Sequence, residues 1–158
     1  METIKFRGKR ITTKQWVYGY LFQNIKPKYT FSYIIEGGFV PVLSMPSENF
    51  IEVDIKTIGQ FTNFKLKKGR EVYHGDIAFT EVEKDHGDIR LYMVCWWIKE
   101  WGVFAWLNDY EYLSYIDNGI SALDEGFQNT YNMEDSEKFN YAGNIYDNDL
   151  IELMTYKP

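Results

Sequence analysis

Cysteine is almost missing from this chain of 158 residues: Cys95 stands alone. No internal disulfide can form, so packing and hydrogen bonds must hold the fold. Proline is scarce as well, with 4 in the whole sequence, which excludes stiff proline-rich linkers and collagen-like structure. Histidine occurs only at His74 and His86, leaving few positions for imidazole catalysis or imidazole-rich metal sites. Long apolar runs are absent. The strongest, residues 93–98, falls far short of the ~20 residues that a membrane-spanning helix needs. The first ten residues place a charge at every second or third position and carry no apolar stretch, which predicts that no secretory leader is present. A positive excess is missing too. Lys plus Arg number 17 against 23 Asp plus Glu, a net charge of -6, which argues against a chain that coats nucleic acid indiscriminately.

The charge is unevenly spread. Residues 1–76 hold 12 basic and 7 acidic side chains, a net of +5, while residues 77–158 hold 5 and 16, a net of -11. Such asymmetry fits an anionic partner for the first half, or self-association of one copy's basic part with another's acidic part; a merely solvated surface is the plain alternative. What the chain has in abundance is aromatic: 11 Phe, 13 Tyr and 5 Trp make 18% of it, within 45% apolar and 25% charged residues. This is a folded globule, and large flat side chains favour strands. A mainly β protein is expected.

The pattern along the chain agrees. Ile4 and Phe6 alternate with Lys5 and Arg7 before a polar turn read at Gly8, Lys9 and Arg10. Trp16, Tyr18, Tyr20 and Phe22 then line one face of a strand whose other face carries Val17, Gly19 and Leu21. Residues 30–35 and 39–43 read as strands around the turn former Gly37-Gly38, Pro41 marks an edge, and residues 51–53 form a further short strand. The most informative stretch is residues 57–77. Gly59, Gly69, Gly75 and Asp76 are its candidate structural turn residues: Gly75 supplies a backbone angle and the Asp76 side chain caps the turn. Residues 90–98 and 103–107 read as two long strands joined at Lys99-Glu100-Trp101-Gly102. Strands this short and bent suit a small SH3-like barrel. The domain reading is an N-terminal β subdomain over residues 1–56, then an SH3-like barrel with helical and loop additions over residues 57–158. Tyr112, Leu113, Tyr115 and Ile116 fit short helices that Asn118-Gly119 interrupts. Residues 129–140 read as a polar surface loop.

The order of these segments resembles the YopX-like family of bacteriophage and prophage proteins. The matching residues are Ile4-Lys5-Phe6-Arg7, Val17-Tyr18-Gly19, Ile58-Gly59-Gln60-Phe61-Thr62, Lys68-Gly69, Glu71-Val72-Tyr73, Gly75-Asp76-Ile77 and Gly143-Asn144-Ile145-Tyr146-Asp147-Asn148. The middle block is the specific one. Two departures have physical readings: Asn63 stands where the family uses glycine, which is tolerable if that position is left-handed, and Asp149 stands where it often has proline, so a last helix would begin with an acid near its positive dipole end. The resemblance implies a mainly β fold with an SH3-like barrel, a phage or prophage origin and residence in the cytosol of a bacterial host. It implies no particular activity.

Candidate chemistry is sparse. Glu71, His74 and Asp76 offer metal-ligand types, but strand alternation sends neighbours to opposite faces, so no metal or cofactor is expected. No catalytic residues are assigned. Carboxylates are plentiful, and a small hydrolase with an acidic site is the weakest of three readings. The second is nucleic-acid binding, for which Lys65, Lys67, Lys68 and Arg70 are the candidate partner-binding residues beside Phe61 and Phe64; Lys5, Arg7, Lys9, Arg10 and Lys14 add to them beside Trp16 and Tyr18. The favoured reading is a noncatalytic binding or assembly module acting through protein contacts, self-association included. Trp96 and Trp97 are adjacent on one strand and must face opposite sides, so with Trp101 and Trp106 close by, some indole surface is left for an interface.

Overall fold

The computed structural model describes residues 4–26, 29–35, 50–83, 88–119 and 132–147. The Gly37-Gly38 turn, Pro41, His86, Asp149 and a final helical turn lie outside them. The protein is mainly β. It divides into two compact units, Met1–Phe61 and Thr62–Pro158.

Unit 1 is an antiparallel sheet in the order β4-β3-β2-β1, built from β1 (Phe6–Lys9), β2 (Trp16–Lys26), β3 (Tyr29–Ile35) and β4 (Phe50–Val53). The first residues of β5 (Gly59–Lys65) extend it, with Gly59 opposite Arg7 and Gln60 opposite Phe6. Alternation sets the faces: Val17, Ile34, Ile51 and Val53 are buried together, with Phe6 and Ile58 against them. Gly8 is a strand residue opposite Val17 and not part of a turn. The turn comes later, at residues 11–13. Packing decides this position, since a Cβ on Gly8 would lie 3.0 Å from Val53 Cβ.

In unit 2 the rest of β5 neighbours β6 (Glu71–Tyr73). A second sheet runs β10-β7-β8-β9, all antiparallel, from β7 (Asp76–Val82), β8 (Ile89–Ile98), β9 (Val103–Asn108) and β10 (Asn140–Asn144). It is open, compatible with a small barrel-like fold but not closed into a barrel. Both its faces are covered. On one, Met93, Cys95, Ala78 and Trp106 pack with Leu66, Val72, Met133 and Phe139. On the other, Ile98, Ala105 and Leu107 meet Tyr115 of the helix α1 (Asp109–Asn118). A capping box starts α1: Asn108 Oδ1 accepts from the Glu111 amide and Glu111 Oε2 accepts from the Asn108 amide, each at 2.9 Å. Gly119 ends it at φ +69.

The polar stretch before β10 is not a free loop. Met133–Lys138 forms a 3₁₀ helix whose Met133 and Ser136 are buried. Ser136 Oγ accepts from the Trp106 indole N–H at 2.9 Å, which satisfies the one polar atom of a fully buried ring. Two stability outcomes follow from these contacts, both read by urea denaturation. Trp106→Ala is expected to cost about 3–5 kcal/mol, the usual loss for a buried large aromatic. Asn63 adopts φ +67, so Asn63→Val is expected to cost about 1–2 kcal/mol from the left-handed backbone alone, with Asn63→Gly much milder.

Candidate functional site

The mid-chain segment folds as two consecutive turns. Between β5 and β6, residues Lys67–Gly69 make a 3₁₀ turn in which Lys68 (φ +64) and Gly69 (φ +76) are both left-handed. The Gly69 amide donates to the Leu66 carbonyl at 3.1 Å and the Leu66 amide to the Arg70 carbonyl at 2.8 Å. This places Lys65, Lys67, Lys68 and Arg70 around one turn, all exposed. Arg70 is held: its Cζ lies 3.4 Å from the Tyr141 ring centroid. Phe64 packs against the core and is no stacking platform. In unit 1, Arg7 and Lys9 lie over Trp16 at 4.5 and 5.4 Å, and Lys5 over Tyr18 at 5.9 Å.

The second turn joins β6 to β7. Gly75 sits at φ +85, and Asp76 Oδ2 accepts the Tyr73 amide at 2.8 Å. Gly59, by contrast, belongs to a strand ladder opposite Arg7. Glu71, His74 and Asp76 do not converge: Glu71 accepts from the Tyr73 hydroxyl at 2.7 Å, Asp76 is buried under the turn, and His74 lies against the Trp96 ring at 4.2 Å between centroids. Among the described residues no three His, Cys, Asp or Glu side chains group as a metal site would require.

His74 instead forms a wall of a cleft of about 510 Å³ in unit 2. Trp96, Trp97, Lys99, Glu100, Tyr115, Ile116 and Gly119 line the rest. Trp96 is braced on the Tyr115 side by Tyr112 at 5.1 Å, while the Trp97 indole turns to the other face of the hairpin and meets Phe104 at 4.9 Å. The polar centre is a pair: the Tyr115 hydroxyl donates to Glu100 Oε2 at 2.7 Å and its oxygen accepts the Lys99 amide at 3.3 Å. The Tyr115 bond, aided by Lys99 at 3.6 Å, holds the Glu100 carboxyl below the usual glutamate range. Burial, together with the adjacent carboxylate, pushes the Tyr115 phenol up. The cleft thus holds an oriented carboxylate paired with Lys99 beside the Trp96 and Tyr115 rings.

Sequence reasoning passed over this pair, because Glu100 was only a turn residue between strands and Tyr115 only an apolar helix position. The available signal was the helical spacing of Tyr112, Tyr115 and Ile116 after the paired tryptophans, which lays one helix face across that end of the sheet.

Sheet, helix and cleft together define a mainly β protein whose second unit presents a recess lined by His74, Trp96, Tyr115 and the Lys99–Glu100 pair. The YopX protein family model matches residues 5–152, nearly the whole chain, and the chain belongs to that family. Comparison with curated proteins gives no match. None of the helices among the described residues is long and apolar enough to cross a membrane.

The Tyr115–Glu100 bond has a measurable effect. A carboxylate whose folded pKa is depressed contributes stability above its unfolded pKa and loses it as pH falls through the folded value. In Tyr115→Phe, the Glu100 titration followed by NMR is expected to move up toward the ordinary glutamate range, and the stability advantage of the wild type near neutral pH is expected to shrink as pH falls through the folded Glu100 pKa. An unmoved Glu100 titration would contradict the hydrogen bond.

Proposed function

We propose that this chain is a phage- or prophage-derived, noncatalytic binding or assembly module that works in the bacterial cytosol through protein contacts, with a second copy or another protein as partner. The observation that carries this reading is the tip of the β8–β9 hairpin, where Trp97 and Trp101 are each 41% exposed and Val103 is 45% exposed. Exposed indoles are costly to leave in water, and tryptophan is among the residue types that dominate protein interfaces. Leu113 and Ile116 on the outer side of α1 add exposed apolar area to the same unit. The single thiol, Cys95, is fully buried in the core, which accords with a reducing compartment.

Nucleic-acid binding is the second reading, favoured by the exposure of Lys65, Lys67 and Lys68 with Arg70 around one turn. Affinity capture from the lysogenic or infected host, with and without nuclease, separates the two. A specific partner is expected to survive nuclease and to be lost, by roughly tenfold or more, in the W97A/W101A variant, as for truncation of interface anchors. Retention that disappears with nuclease, or that the variant leaves unchanged, would overturn the protein-contact reading.

A further inference from the structure

Unit 1 carries a charge pattern of its own. Residues 3–35 hold 7 basic side chains and no Asp or Glu, and β1, β2 and β3, all drawn from this stretch, lie side by side in one sheet. Pairing and alternation sort their side chains: Phe6 and Val17 join the buried cluster, so Arg7 and Lys9, opposite Tyr18 and Trp16, share the other face. There Arg7 and Lys9 lie 4.5 and 5.4 Å from the centre of the Trp16 ring, and Lys5 lies 5.9 Å from that of Tyr18. The two rings differ in what they offer. Trp16 is half-buried and carries two cations, one of them the buried Arg7, which braces it. Tyr18 is 40% exposed. Lys5 and Lys9 are half-buried, and Lys14, just before β2, is exposed. One sheet face thus sets an open ring among cations, with no carboxylate on either of its two strands.

We propose that this face binds single-stranded nucleic acid, with a base stacked on Tyr18 and neighbouring phosphates on Lys5 and Lys9. The charge selects a polyanion, and the open ring selects one whose planar groups are free to stack. A duplex supplies the charge but keeps its base faces closed, and an acidic polypeptide supplies the charge without a base. Every base has a face to stack, so recognition of this kind carries little sequence preference. The site uses none of the tryptophans of the protein-contact reading and none of the residues Lys65, Lys67, Lys68 and Arg70, so it goes beyond both and can fail without either.

The test is fluorescence anisotropy of a labelled oligothymidine of about 15 nucleotides titrated with the full chain, with a duplex of the same length and poly-glutamate as competitors. Half-saturation is expected at about 10 μM protein in about 50 mM salt, weakening roughly tenfold or more by about 200 mM as two or three phosphate contacts release their counterions. Duplex and poly-glutamate are each expected to compete at least about tenfold less well. Tyr18→Ala is expected to weaken binding about tenfold while leaving the salt dependence unchanged, and Tyr18→Phe, which keeps the ring, to bind as the wild type does. Lys5→Gln with Lys9→Gln is expected to flatten the slope of log affinity against log salt by about 1.4, the share of two phosphates on a single strand. These lysines lie at the face of the sheet away from the core, so the pair tests the site even where Tyr18→Ala loosens the strand. No binding in about 50 mM salt, equal competition by duplex or poly-glutamate, or affinity and slope unchanged in the lysine pair overturns the assignment. Binding that ignores these changes and is lost on Lys67→Gln with Lys68→Gln overturns it as well, and moves the contact to the basic turn of unit 2.

Discussion

The turn at Gly75 is the constraint on which the second unit depends. Its left-handed backbone lets the Asp76 carboxylate reach back to the Tyr73 amide, capping the turn from β6 into β7. The same residue is bonded on both sides: its amide donates to the Cys95 carbonyl at 2.8 Å, and its carbonyl accepts the Ile145 amide at 3.0 Å. One glycine therefore ties the mid-chain segment to β8 and to the residues after β10. A side chain there would be doubly unfavourable, strained by φ and set 3.0 Å from the Tyr146 ring. Because His74 precedes it, this anchoring also carries His74 to the Trp96 ring and shapes one wall of the cleft.

Much of the β architecture is legible in the amino-acid sequence. The alternation of β2 and the apolar runs of β8 and β9 state their own periodicity, and Asn63, tolerable in place of the family's glycine only if left-handed, has φ +67. Other features were hidden for definite reasons. Gly8 reads as a turn former, yet it sits in a strand because Val53, 45 positions later, needs the space. The 3₁₀ helix Met133–Lys138 looks like a solvated acidic loop because only two of its residues, Met133 and Ser136, face inward. The Glu100–Tyr115 bond joins residues 15 apart and exists only once α1 has docked, so no local pattern encodes it. The basic run was visible as charge. That it sits on a single turn, with Arg70 resting on Tyr141, required the fold.

Burying charge at the start of α1 shows how local and tertiary demands compete. Glu111 completes the helix cap and is almost fully covered, so burial, with the nearby Asp109, pushes its carboxyl up despite the Asn108 amide. The cap satisfies backbone groups at the helix start, at the cost of a carboxylate held out of water. This fixes the helix origin and, through the rise of the next turn, the height at which Tyr115 meets Glu100.

The division of the tryptophans between interior and surface gives the molecule two optical registers. Trp106, sealed under Phe139 and bonded to Ser136, emits from an apolar cage and reddens only when the fold opens. Trp97 and Trp101, each 41% exposed, are expected to emit to the red of Trp106 and to shift to the blue when a partner covers them. One chromophore type thus distinguishes melting from docking by the direction in which its colour moves.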